Sequence, residues 1–195
     1  MSELPNGRRA DARRSIAAVL QAAIELLGRR PDASMDEIAA AAGVTRQTIY
    51  AHYPSRQALL RAMTRHITAE VARELGELDL RGGSATDALS RWLTAVWGIL
   101  QRYPVLLTPA VAAPESRDEM EAHEPIIGGL VRVINRGRRR REFDHTMPTA
   151  WYLAAIIGLG HAAGQEVAAG RMTAARAGAA FRESALRICR TLAPP

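Results

Sequence analysis

Apolar residues recur at helical spacing along almost the whole chain. Ile16, Val19, Leu20, Ala23, Ile24 and Leu27 fall on one face of a helix, which Gly28 and Pro31 end. Ser34-Met35-Asp36-Glu37 has the form of a capping box, in which Ser34 accepts from the backbone N–H of Glu37 and the Glu37 carboxylate reaches back. A short helix with Met35, Ile38, Ala39 and Ala42 on one face follows and stops at Gly43. Thr45 caps a third short helix that ends near Tyr53. Pro54-Ser55 restarts the chain as a longer helix with Leu59, Leu60, Met63, Ile67 and Val71 inward.

Past Gly82-Gly83 the helices lengthen. Leu89, Trp92, Leu93, Val96, Trp97 and Leu100 form a broad stripe that Tyr103-Pro104 breaks. Val105 to Ala113 is apolar and helix-like, closed by Pro114. Glu119 to Arg136 predicts another helix, with Ile126, Ile127, Leu130, Val131 and Ile134 in its apolar second half. No alternating pattern is long enough for a strand and no repeat occurs. The expectation is an all-α fold of about nine helices.

The last two helices differ from the rest. Between Pro148 and Gly170 the chain is apolar nearly all round, with Leu153, Ile156 and Val167 on one side and Trp151, Ala155, Gly158, Ala162 and Ala169 on another. A helix apolar on both sides must bury both. The final helix, Thr173 to Leu192, carries a seam of Ala177, Phe181, Ala185, Ile188 and Leu192 opposite Arg176, Glu183, Arg187 and Arg190. Trp151, Ala155, Gly158, Ala162, Phe181, Ala185 and Ile188 are therefore expected at a two-fold interface, half of an intersubunit four-helix bundle. Burial within a single chain is the other reading of that pattern.

Composition narrows the classes. With 48% apolar and 24% charged residues over 195 positions the chain has a globular make-up, and no apolar run reaches the roughly 18–20 residues of a membrane span. The opening MSELPNGRRA lacks the apolar stretch of a secretory signal, and one cysteine makes neither an internal disulfide nor a cysteine-rich metal site. A cytoplasmic location is expected, with no metal and no cofactor. All 26 basic residues are Arg, against 20 acidic ones, and the net charge of +6 favours an anionic partner. No glycine-rich phosphate loop, His-Glu-x-x-His or Ser-His-Asp set is present, so no enzymatic activity is expected.

Ser34 to Tyr53 has the spacing of a helix-turn-helix, whose second helix enters the major groove of DNA. Gly43 supplies the left-handed conformation of the turn, and Ala39, Val44 and Ile49 pack the two helices together. Arg46, Gln47, Thr48, Tyr50 and His52 lie on the exposed side of the second helix, and all can hydrogen-bond.

The run IAAAAGVTRQTIYAHYPSRQALL, from Ile38 to Leu60, resembles the signature of tetracycline-repressor (TetR) type regulators. A helix-turn-helix is there coupled to a Tyr-x-His-aromatic end and a Pro-Ser-basic restart. The likeness covers about residues 14 to 62. Tyr53 stands where Phe is usual, Arg56 where Lys is usual, Gln57 where Glu is usual, and Gln47 where a small residue is often found. The resemblance implies a dimer that binds a near-palindromic double-stranded DNA operator and is released by a small-molecule inducer. It implies phosphate contacts from Ser34, Thr45, Thr48, Tyr50, His52 and Arg56, with Arg46 and Gln47 reading bases. For Thr45 a plain helix cap is an equal reading, and Tyr53 is assigned to packing.

Residues 1–55, with an arm at 1–10, are expected to form the DNA-binding domain, and residues 56–195 a helical domain for ligand binding and dimerisation. Trp92, Trp97, Tyr103 and Met120, together with His123, Trp151, Tyr152 and His161, are candidate pocket lining, each open to an ordinary core role. Arg8, Arg9, Arg13 and Arg14 either touch DNA or form a solvated arm. Arg136 and Arg138 to Arg141 read as a solvated loop at a helix end. A ligand-binding or interaction module without gene regulation is the alternative function.

Overall fold

The computed structural model describes residues 6–107 and 117–190, with side chains described from 14 to 107 and from 126 to 190. Eight α-helices account for most of them: α1 (Asn6–Arg29), α2 (Met35–Ala41), α3 (Arg46–His52), α4 (Arg56–Gly76), α5 (Ala85–Arg102), α6 (Arg117–Arg139), α7 (Thr149–Ala168) and α8 (Ala174–Cys189). A 3-10 helix, Pro104–Leu107, follows α5; the rest of the helix expected to Ala113 lies outside the described residues. No strand occurs among the described residues, where Phe143 and Arg190 form an isolated bridge. No helix among them is long and apolar enough to cross a membrane.

Packing divides the described chain within α4. Residues up to Ile67, with Tyr103–Leu107, form one compact unit; Thr68–Arg102 and the residues from Arg117 form a second. In the first, the predicted apolar face of α1 is inward: Val19, Ala23, Ile24 and Leu27 are buried with Ile38 and Ala39 of α2, Ile49 of α3, and Leu59, Met63 and Ile67 of α4. Tyr53, 8% exposed, closes the end of α3 as a packing residue. Helices as short as α2 and α3, seven residues each, are marginal alone, so this shared core and their caps hold them.

In the second unit, Leu89, Trp92 and Leu93 of α5 face Leu130, Val133 and Ile134 of α6, with Tyr152 and Ile156 of α7 and Phe181 of α8 also buried. Helix α8 approaches α5 closely: a Cβ at Gly178 would lie 2.3 Å from Trp97 Nε1, so only glycine fits. Trp97 donates from that nitrogen to the carbonyl of Ala174 at 3.2 Å.

The predicted interface seam is partly corrected. Phe181 and Ala185 are buried in the unit's own core. Steps of four residues (177, 181, 185, 189) keep that seam inward, and Ile188 falls one short, at its rim, 38% exposed. Trp151, Gly158 and Ala162 lie exposed on the outer side of α7, and Ala155 is half-buried.

Arg136, Arg138 and Arg139, expected in a solvated loop, belong to the last turn of α6, and not all of them are solvated. Arg136 donates to the carbonyls of Leu80, Arg81 and Ser84 at 2.7, 2.6 and 3.2 Å, and Arg138 donates to Thr149 Oγ1 at 2.7 Å. Both bind groups brought near only by the fold. Glu142 completes this corner by accepting from the N–H of Ala85, 2.5 Å away, at the start of α5.

Candidate nucleic-acid interface

Local chemistry sets the start of α2. Ser34 accepts from the Glu37 N–H at 3.3 Å, and its own N–H donates to the Glu37 carboxylate at 2.8 Å, completing the capping box. Arg30 donates to the same carboxylate at 2.8 Å. These bonds, the Ser34 backbone N–H first, then the Ser34 hydroxyl and Arg30, lower the Glu37 pKa to about 2.

Ala42 closes α2, and Gly43 turns the chain at φ +67° with nothing near its Cβ position, so conformation rather than space demands glycine. Thr45 caps α3 by accepting from the Thr48 N–H at 3.1 Å, and the two hydroxyls share a hydrogen bond of 2.8 Å. With Ile49 fully buried, the outer side of α3 is fixed: Arg46, Gln47 and Tyr50 are exposed, while Thr48 and His52 are half-buried. The Arg46 guanidinium lies over the Tyr50 ring, 5.3 Å from its centroid, and donates to Asp36 of α2. His52 meets Tyr53 edge-on at 6.5 Å.

One expected phosphate ligand is revised. The half-buried Arg56 turns back to the α1–α2 connection, where its guanidinium donates to the carbonyls of Ala33 and, at 2.5 Å, Pro31. Those carbonyls follow the end of α1 and have no helical N–H to accept from, so the arginine fills that role. Two partners escaped the sequence reading: Asp36, ten residues before Arg46, and Arg30, seven before Glu37. No spacing rule along a single helix joins such pairs; the turn between elements does. The arm residues 1–5 lie outside the described residues, as do the side chains of Arg8, Arg9 and Arg13.

The described candidate pocket residues differ in burial, Trp92 and Tyr152 being buried and Trp151 and His161 exposed. Tyr103 belongs to the first unit, where it is buried. Trp151 and His161 lie exposed on α7, because a helix exposes the positions opposite its buried Tyr152 and Ile156. Tyr152 donates to Asp144 Oδ2 at 2.5 Å, and hydrogen bonds from the Thr146 hydroxyl first and then from Tyr152 lower the Asp144 pKa to about 2. Trp97 packs obliquely on Phe181 at 6.1 Å. Trp92 is 3% exposed and its Nε1 finds no acceptor among the described residues. The side chains of Met120 and His123 lie outside the described set.

The first unit is thus a capped helix pair around a glycine turn, showing cationic, amide and phenol groups on one side. Residues 19–63 match the family model described as bacterial regulatory proteins, tetR family. Over 143 residues the chain is 34% identical to the HTH-type transcriptional repressor LfrR of Mycolicibacterium smegmatis, covering 71% of each chain. The crystal structure of LfrR in complex with proflavine superposes with a TM-score of 0.70 at 28% identity, over 92% of this chain and 98% of that one. A tetR-family regulator from Rhodococcus RHA1 shares the fold, with a TM-score of 0.75 at 20% identity over 92% of this chain and 98% of its own. With the family model matched over the helix-turn-helix and LfrR 34% identical over 71% of each chain, the chain belongs to the TetR family of DNA-binding transcriptional regulators.

Proposed function

We propose that the chain is a cytoplasmic repressor, without catalytic activity, that binds a near-palindromic operator as a homodimer. Residues 1–55 form its DNA-binding part and residues 56–195 its ligand-binding and dimerisation part. Arg46 and Gln47 read bases, since Arg pairs with both major-groove acceptors of guanine and Gln with adenine. Ser34, Thr45, Thr48, Tyr50 and His52 hold phosphates. The observation that carries this reading is the exposed face of α3, where Arg46, Gln47 and Tyr50 stand together beyond the Gly43 turn.

The outer side of α7 with the rim of α8 forms the two-fold interface. An effector bound in the second unit favours a spacing of the two reading helices that no longer matches the operator, and so releases DNA by linkage. The LfrR complex with proflavine supports an aromatic effector here as well. The test is selection of binding sites from random duplex DNA with the full chain. Enrichment of a two-fold sequence whose half-sites are about one helical turn apart, or a little more, is expected. Recovery of unenriched sequence would leave the alternative, a helical module that does not regulate genes.

A further inference from the structure

Asp36 sits in the first turn of α2, and its carboxylate accepts from Arg46 in the first turn of α3. Ile38 and Ala39 on one helix and Ile49 on the other are buried, so the two backbones that carry this pair are fixed. Both side chains remain in solvent, 68% exposed for Arg46 and 51% for Asp36. The Tyr50 ring, 5.3 Å from the Arg46 guanidinium carbon, supports the cation from the same helix. Arg46 is therefore paired with a carboxylate and lies over a ring while remaining exposed.

We propose that Asp36 is a specificity-determining residue, which pairs with Arg46 and so weakens the protein's hold on DNA in general while preserving its hold on the matching operator. This inference rests on Arg46 being a base reader. Binding to DNA of any sequence comes from cations that displace counterions from phosphates. An arginine paired with a carboxylate is neutral as a unit and contributes little to that term. Its fork has five N–H donors, and the bond to Asp36 uses a donor on Nη1. The donors left over can still meet the O6 and N7 acceptors of guanine. Where the base is not guanine, nothing offsets the carboxylate beside the groove. The pair thus makes Arg46 useful on the right sequence and nearly inert elsewhere.

The test uses the full chain with two duplexes of equal length, the operator obtained by selection and a scrambled sequence. Asp36→Asn is expected to raise affinity for the scrambled duplex about threefold to tenfold per dimer, an exposed pair being worth a few-fold at each subunit. It should change operator affinity less than twofold, so that the ratio of the two falls. The slope of log K against log salt on the scrambled duplex should steepen by roughly 2 per dimer, one released arginine per subunit. Asp36→Glu, which keeps the charge at the helix start, is expected to retain the wild-type slope and also shows that position 36 tolerates change. In the Arg46→Ala background, Asp36→Asn should no longer alter the ratio. If the ratio shifts as much there as in the wild type, Asp36 acts as a general negative charge and the inference fails. If Arg46→Ala collapses the ratio and Asp36→Asn leaves it unchanged, the inference alone fails. Should Arg46→Ala itself keep the wild-type ratio, the base-reader assignment falls and the inference with it.

Discussion

Arg46 and Arg56 stand ten positions apart and carry the same charge, yet the fold gives them opposite work. Arg46 remains exposed at the front of α3, held laterally by Asp36 and Tyr50. Replacing it with Ala should cost about 1–3 kcal/mol on the selected operator and relax preference at one base pair per half-site, as losing a bidentate base contact does. Titration of the operator and its single-base variants measures both. Arg56 faces inward onto the carbonyls of Pro31 and Ala33. Arg56→Ala should therefore lower unfolding free energy by about 1–2 kcal/mol in urea titrations followed by helical signal, since hydrogen bonds from a charged donor are strong but this one is partly solvated. Unchanged stability with weakened DNA binding would return Arg56 to the phosphates. A Pro-Ser-basic motif announces a cation at the start of α4; where the side chain points depends on a turn more than twenty residues away.

At the level of elements, the start of α2 joins a capping box to an ion pair. Ser34→Ala should cost about 1 kcal/mol, the usual worth of such a cap, measured in the same urea titrations. The pH dependence has a definite sign. The Glu37 pKa is about 2 in the folded protein against 4.5 ordinarily. Its contribution is therefore fully present above pH 4.5 and fades as the pH falls from there toward 2. Denaturation midpoints of wild type and Glu37→Gln should differ most at neutral pH and converge near pH 2; a difference that stayed constant with pH would count against this. Taking the difference removes Asp144, whose own lowered pKa belongs to the second unit. This region was legible because its signals are local: a four-residue box, a glycine and a threonine each act on the next turn of chain. The seam of α8 was only half legible. Periodicity shows that Ala177, Phe181 and Ala185 share a face, but it does not say whether that face meets its own chain or another.

On the scale of the whole molecule, the outer side of α7 is the surface a second copy would cover. Trp151 is 59% exposed and Ile157 43%, beside an open Gly158 with no atom within 4 Å of its Cβ position. Gly158→Glu should thus leave the subunit folded, produce monomers in sedimentation at micromolar concentration and abolish tight operator binding. A dimer as tight as the wild type would move the interface elsewhere. The candidate pocket was the least legible part, because lining depends on residues far apart in sequence converging, and aromatic content alone does not report convergence: Trp92 turned inward while Trp151 and His161 turned out. Cys189 ends α8 at 1% exposure, and burial pushes its thiol pKa up to about 11. Thiolate is the reactive form, so near neutral pH an alkylating reagent acts on molecules whose α8 end has opened. The chain's one thiol is in this way a built-in clock for local opening. An effector that tightens the second unit slows its ticking, and one that acts elsewhere leaves the rate alone.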